Sequence, residues 1–169
     1  MKKVIGIFLI TFSFSSCHKN ETTLTGCDIQ KVYADNAKKV TITHGIWGTV
    51  SSLEGDCMPT TPPSTSGCKN CPVKRTVVIY QYTLFTNATP LNNSTGFFDS
   101  FNTSLVAQVD TDENGFFQIN VPEGHYTIAI IENGKLYANS SDGQGGLNPF
   151  TLTNGLEEVD VTMTYKAEF

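Results

Sequence analysis

Close to its C-terminus the chain reads VDVTMTYK, in which Val159, Val161, Met163 and Tyr165 alternate with Asp160, Thr162, Thr164 and Lys166. A period of two places successive side chains on opposite faces of an extended backbone, here one apolar and one wet. An amphipathic helix repeats every 3.6 residues and cannot produce this pattern. The same reading predicts strands over residues 40–50, 76–85, 103–110, 115–121, 125–132, 135–140 and 150–153, all rich in β-branched and aromatic residues. Between them stand turn sequences: Glu113-Asn114-Gly115, Pro122-Glu123-Gly124, Asn133-Gly134, Asp142-Gly143 and Asn154-Gly155. Seven or eight short strands at this spacing predict an all-β sandwich.

The first residues read MKKVIGIFLITFSFSSCHKN. Lys2 and Lys3 precede an apolar run from Val4 to Phe14 that suits the apolar region of a signal peptide and is too short to span a bilayer. Ser15 and Ser16 then lead into Cys17, an arrangement that resembles a bacterial lipobox. Phe14 stands where most lipoboxes have Leu, a looseness seen in lipoproteins of the Bacteroidota type. The resemblance implies cleavage before Cys17, acyl chains on its sulfur and amine, and a membrane partner reached through that anchor. Each buried methylene adds about 0.8 kcal/mol to such an anchor, and two anchoring signals suffice for stable attachment. The expected organisation is a lipoprotein signal peptide at 1–16, a polar membrane tether at 17–39 and a β-sandwich domain at 40–169. The expected location is the cell envelope, anchored to the outer membrane and facing either side of it. Within the tether, DIQKVYADNAKK carries a weak helical signal.

Export bears on the remaining cysteines, Cys27, Cys57, Cys68 and Cys71. An even set in an oxidising compartment is normally paired, so two disulfides are expected, with three possible connectivities. Zinc ligation would need a second CxxC beside Cys68-Lys69-Asn70-Cys71, and a thioredoxin-like motif would need a helix where Pro72 and a β-rich run follow. The stretch PTTPPSTSG at 59–67 has nothing to bury except its prolines. Closure by Cys57 with Cys68 or Cys71 would staple a loop of roughly 12 to 15 residues, stabilising by about 3 kcal/mol in the chain-entropy model.

The run DTDENGFFQINVPEGHYTIAIIENG, from Asp110 to Gly134, resembles the carboxypeptidase regulatory-like domain through Asp112, Gly115, Phe117, Pro122, Gly124 and Tyr126. Gly48-Thr49-Val50 resembles that family's opening strand. GDCMP, CPVKRTVVIYQYT and the final Tyr165, Lys166, Ala167 and Phe169 are similar to a Bacteroidota lipoprotein subgroup. The likeness covers about residues 46–169 and departs from the family pattern at 51–73 and 97–101. It implies an Ig-like, transthyretin-like sandwich in which the motif residues are structural: Gly124 turns the chain, and Tyr126 packs inward while its hydroxyl reaches a turn.

Chemistry is sparse in this sequence. The net charge of −5 becomes two units more negative once Lys2 and Lys3 are removed, which disfavours nucleic acid. Asp110, Asp112, Asn114 and Gly115 fit the start of a calcium loop, but Val121 stands where an EF-hand needs Glu. Around Asp142, SDGQGGLNP is an acidic, glycine-rich loop that reads as a flexible connector. His18 lies in the tether, while His44 and His125 fall in strands with no spacing that suggests a catalytic triad. The expected function is therefore a non-catalytic envelope module, without cofactor or bound metal, that presents loops to a surface protein or glycan. The alternative is a metal-dependent binder or hydrolase built from the acidic loops at Asp110–Asn114 and Asp142.

Overall fold

Strand β1 (Gly45–Asp56) organises the molecule because its partners change halfway along it. The computed structural model describes residues 27–59, 61, 67–92 and 94–169. On one side β1 pairs in parallel first with β11 (Leu156–Glu158) and then with β12 (Val161–Glu168). On the other side it pairs antiparallel with β7 (Phe116–Ile119) and then with β2 (Lys69–Pro72). At the break between β11 and β12 the Thr49 amide donates to Asp160 Oδ1 at 2.7 Å, so a side chain fills the gap in the ladder. This five-stranded sheet is mixed.

The second sheet is antiparallel, in the order β4 (Ala88–Pro90), β5 (Phe97–Phe101), β9 (Lys135–Tyr137), β8 (Gly124–Glu132), β3 (Thr76–Gln81) and β6 (Leu105–Asp110). A seventh strand, β10 (Pro149–Leu152), pairs with the start of β8. Alternation sends Val77, Ile79, Ile128 and Ile130 inward, where they meet Ile46, Val50, Phe117, Val161 and Met163 of the first sheet. The intervening residues Val78 and Ala129 form a second cluster on the other face with Phe98, Phe101 and Leu136. The chain is thus the all-β sandwich that the period of two predicts.

Turn chemistry explains the hairpins. Asn133 and Gly134, at φ 51° and 74°, join β8 to β9 in the two-residue turn that an Asn-Gly pair favours. Gly124 has a different task from the one expected. Its backbone has no positive φ, and a Cβ there would lie 2.7 Å from the Tyr126 hydroxyl, so the missing side chain makes room for the ring. Tyr126 is buried and its hydroxyl donates to Pro122 O at 3.0 Å, as the motif implied.

The segment expected as tether begins to pack at Cys27. Helix α1 (Ile29–Ala37) is capped by Asp28, whose carboxylate accepts the Lys31 amide at 3.1 Å. It lies on β1 through buried Asn36, whose Nδ2 donates to Thr49 Oγ1 at 2.9 Å and Asn114 O at 3.0 Å. Lys39 reaches Asp112 at 2.7 Å. Residues 40–44, read as the start of a strand, are held instead by Gln118 Oε1, which accepts from the amides of Thr41 and Ile42. His44 therefore precedes β1 and is exposed. The disulfides are Cys27–Cys71 and Cys57–Cys68, with Cα separations of 5.1 and 4.5 Å. One fastens α1 to β2, and the other closes the Pro- and Thr-rich loop. Cys17 and the signal segment lie outside the described residues.

Candidate functional site

Among the described residues, side chains and not a strand occupy the outer edge of β12. Asn139 Nδ2 donates to Thr162 O at 3.1 Å and Thr164 Oγ1 at 3.0 Å, while the Tyr137 hydroxyl accepts the Thr164 amide at 2.9 Å. Across from this edge, the second sheet has its own interruption: β8 pairs with β10 over its first residues and with β9 over its last. The chain between β9 and β10 closes that interruption, with the Ile128 amide donating to Asn148 O at 3.1 Å. The two irregular edges leave a groove of about 390 Å³, whose polar walls come from Asn139, Ser140, Asn148, Asp160, Thr162 and Thr164.

Asn148 is its most constrained residue. It sits at φ 37°, a conformation that Asn tolerates better than most residues, and only 5% of its surface is exposed. Its Oδ1 accepts from the Ser140 amide at 2.6 Å and the Ser140 hydroxyl at 2.7 Å, which fixes the orientation of the side-chain amide. Its Nδ2 has no protein partner among the described residues and belongs to the groove wall. This donor opens onto the groove and is free for whatever occupies it, water or ligand. On the opposite wall Asp160 contributes a carboxylate. Surrounding protein pushes its carboxyl above the ordinary range, against the opposing effect of the Thr49 amide, although part of the side chain still reaches water. No Lys or Arg lines the groove.

The two acidic loops are arranged differently from the expectation that they build one site. Asp110 accepts the Thr76 hydroxyl at 2.6 Å at the start of β3, whereas Asp142 accepts the Tyr82 hydroxyl at 2.6 Å just past its end. A strand of six residues separates them by roughly 20 Å. The other carboxylates of the two loops are engaged as well, Glu113 by Lys74 at 2.7 Å. Asp112 takes Lys39 on one oxygen and the amides of Asn114 and Phe116 on the other. Burial raises its carboxyl, but these partners outweigh that and hold it below the ordinary value. Asp142 is likewise lowered, first by the Tyr82 hydroxyl and then by the Gln144 amide, and it also accepts from Gly146. These bonds tie the 141–146 loop to itself, and Asp142 thereby ties the chain between β9 and β10 to Tyr82. His125 stacks on Tyr82 with ring centroids 4.0 Å apart.

Sequence reasoning did not find the groove. Asp160, Thr162 and Thr164 were read only as the wet face of the last strand, and Asn139 and Ser140 as the end of another. The signal available was Asn148-Pro149, where an Asn able to adopt positive φ precedes a residue that ends a loop.

No protein-family model matches the chain, and no curated protein matches it. Among solved structures, a "putative carbohydrate binding protein" from Pseudomonas aeruginosa aligns with a TM-score of 0.41 and 17% identity, covering 76% of this chain and 95% of that one.

Proposed function

We propose that this protein is a non-catalytic cell-envelope lipoprotein, held to the outer membrane by acylated Cys17, whose sandwich is of the carboxypeptidase regulatory-like type and binds glycan in the groove beside β12. The observation that carries the binding reading is the unpartnered Nδ2 of nearly buried Asn148. Opposite it stand the Asp160 carboxylate and the Thr162 and Thr164 hydroxyls, so donors and acceptors are interspersed along one surface. A sugar ring, with hydroxyls that both donate and accept, satisfies such a set. An apolar ligand leaves these groups unpaired at a cost of about 1–3 kcal/mol each. Catalysis draws no support from the groove, where Asp160 has no second carboxylate or histidine beside it on the lining.

The test is Asn148→Asp, which keeps the oxygen that accepts from Ser140, suits the positive φ and replaces the groove's donor with an acceptor. Titration calorimetry of the mature chain against neutral glycans is expected to show binding that falls about tenfold or more in the variant, the worth of one hydrogen bond of about 1.4 kcal/mol. Equal affinity in both proteins removes the groove from consideration.

A further inference from the structure

We infer that the site takes an oligosaccharide of neutral sugars, at least two rings long, with the second ring lying on Phe85; this rests on the glycan reading of the groove. A second depression of about 220 Å³ adjoins the first and shares Asn139 and Ser140 with it. The two therefore adjoin at the Asn139–Ser140 segment as two chemically distinct halves of one candidate surface, the second of them on the outer face of the second sheet with Phe98 and Leu147. The first half carries the Asn148 amide and the Asp160 carboxylate. The second has no charged residue on its lining and is walled by Phe85, Phe98 and Leu147 together with Thr95.

Phe85 is 53% exposed, and its ring lines the second depression. It is also held in place. It opens a single 3-10 turn, Phe85–Asn87; its amide donates to Gly145 O at 2.8 Å, and its ring meets Phe98 at 5.9 Å and 76°. Gly145 belongs to the loop that Asp142 fastens through Gln144, Gly146 and Tyr82. An exposed ring fixed from two sides loses little conformational freedom when a ligand lands on it. A pyranose has the matching surface: a hydroxylated periphery and a face of C–H groups that packs on an aromatic ring. One ring engaging Asn148 and Asp160 places its neighbour past Asn139 and Ser140, against Phe85. Acidic sugars are disfavoured, because neither half is lined by Lys or Arg and Asp160 repels a second carboxylate.

The mature, disulfide-intact protein and its Phe85→Ala and Asn148→Asp variants would be titrated with glucose, galactose, mannose and N-acetylglucosamine, their linear oligomers of two to six units, and oligogalacturonate. Melting curves would confirm that each variant is folded. The expected result is at least a tenfold gain in affinity from one ring to two in the wild type, abolished by Phe85→Ala with monosaccharide affinity unchanged, and no binding of oligogalacturonate. A Phe85→Ala protein that keeps the gain, or a wild type that shows none, overturns the two-ring site while leaving the groove standing. Binding that survives Asn148→Asp at every length overturns the groove reading and the Phe85 inference together.

Discussion

Glu132 is 5% exposed, the charged residue of the core among the described residues, and it is held by the Arg75 guanidinium and by the Tyr165 hydroxyl at 2.8 Å. Burial pushes its carboxyl up, but Arg75 and then Tyr165 outweigh burial and bring it below the ordinary value of 4.5. A lowered carboxyl stabilises the fold above that value, and the contribution is lost as pH falls through the lowered one. Arg75→Met leaves the charge buried without its cation, held only by the Tyr165 hydroxyl and the Asn133 side-chain amide. It is expected to cost about 3 kcal/mol at pH 7, the low end for a buried pair because Arg75 is itself 30% exposed. With Arg75 gone, Tyr165 and Lys166 alone oppose burial, so the variant should lose less stability than the wild type as pH falls below 4.5; urea titrations at pH 7 and at about pH 4 read both effects. Asp160 has the opposite sign. Its carboxyl is raised, so ionisation weighs against the fold as pH climbs from 3.8 through the raised value. Asp160→Asn keeps an oxygen for the Thr49 amide and should be at least as stable as wild type at pH 7, while Asp160→Ala should lose about 1 kcal/mol with that bond; thermal melts distinguish them. Tyr126, by contrast, was legible from sequence in both its burial and its hydroxyl contact, because a local motif determines both.

At the scale of elements, the strands with strict alternation or an aromatic run were legible: β3, β6 and β7 fall within the expected ranges, and β8 and β12 match theirs to within two residues at each end. Those that were not owe their existence to partners distant in sequence. Strand β2 is the CxxC segment itself, which pairs with Ser51–Glu54 of β1 and has no periodicity of its own. The second half of β1 runs through Ser51 and Ser52, both buried, because Ser51 Oγ bonds Thr162 Oγ1 at 3.1 Å and Ser52 Oγ donates to Glu54 at 3.1 Å. Strand β5 lay in a segment that departs from the family pattern, and its Phe98 and Phe101 cover the outer cluster. Disulfide pairing was open in the sequence, and its consequences are measurable. The Cys27–Cys71 link spans 44 residues and the Cys57–Cys68 link spans 11, so chain entropy assigns them about 4 and about 3 kcal/mol. Replacing Cys27 and Cys71 with Ser should therefore lower the melting temperature by roughly 8–16 °C, and replacing Cys57 and Cys68 by roughly 6–12 °C. Only the first pair should also increase amide exchange along α1, which that bond fastens to β2.

Across the whole molecule, the sequence defined the architecture and left the site unread. The sandwich follows from alternation and turn residues, which are local. The groove arises where two ladders are interrupted on facing sheets, β11/β12 in one and β9/β10 in the other, and neither interruption leaves a local pattern. The placement of acidic loops at opposite ends of β3 was equally hidden, since it depends on strand order. Among the described residues no helix is long and apolar enough to cross a membrane. The proposed attachment rests on Cys17, and mass spectrometry of the native protein should find a diacylated or triacylated cysteine at its N-terminus; an unmodified N-terminus at another residue would refute the anchor. Where ligand binds is decided most directly by a two-dimensional amide NMR spectrum of the mature domain, recorded while a neutral oligosaccharide is added. The prediction is that the side-chain NH₂ of Asn148 and the backbone amides of Asn139, Ser140, Thr162 and Thr164 move first and furthest. Shifts confined to Asp110, Asp112 and Asn114, with the Asn148 side chain unmoved at saturation, would contradict it.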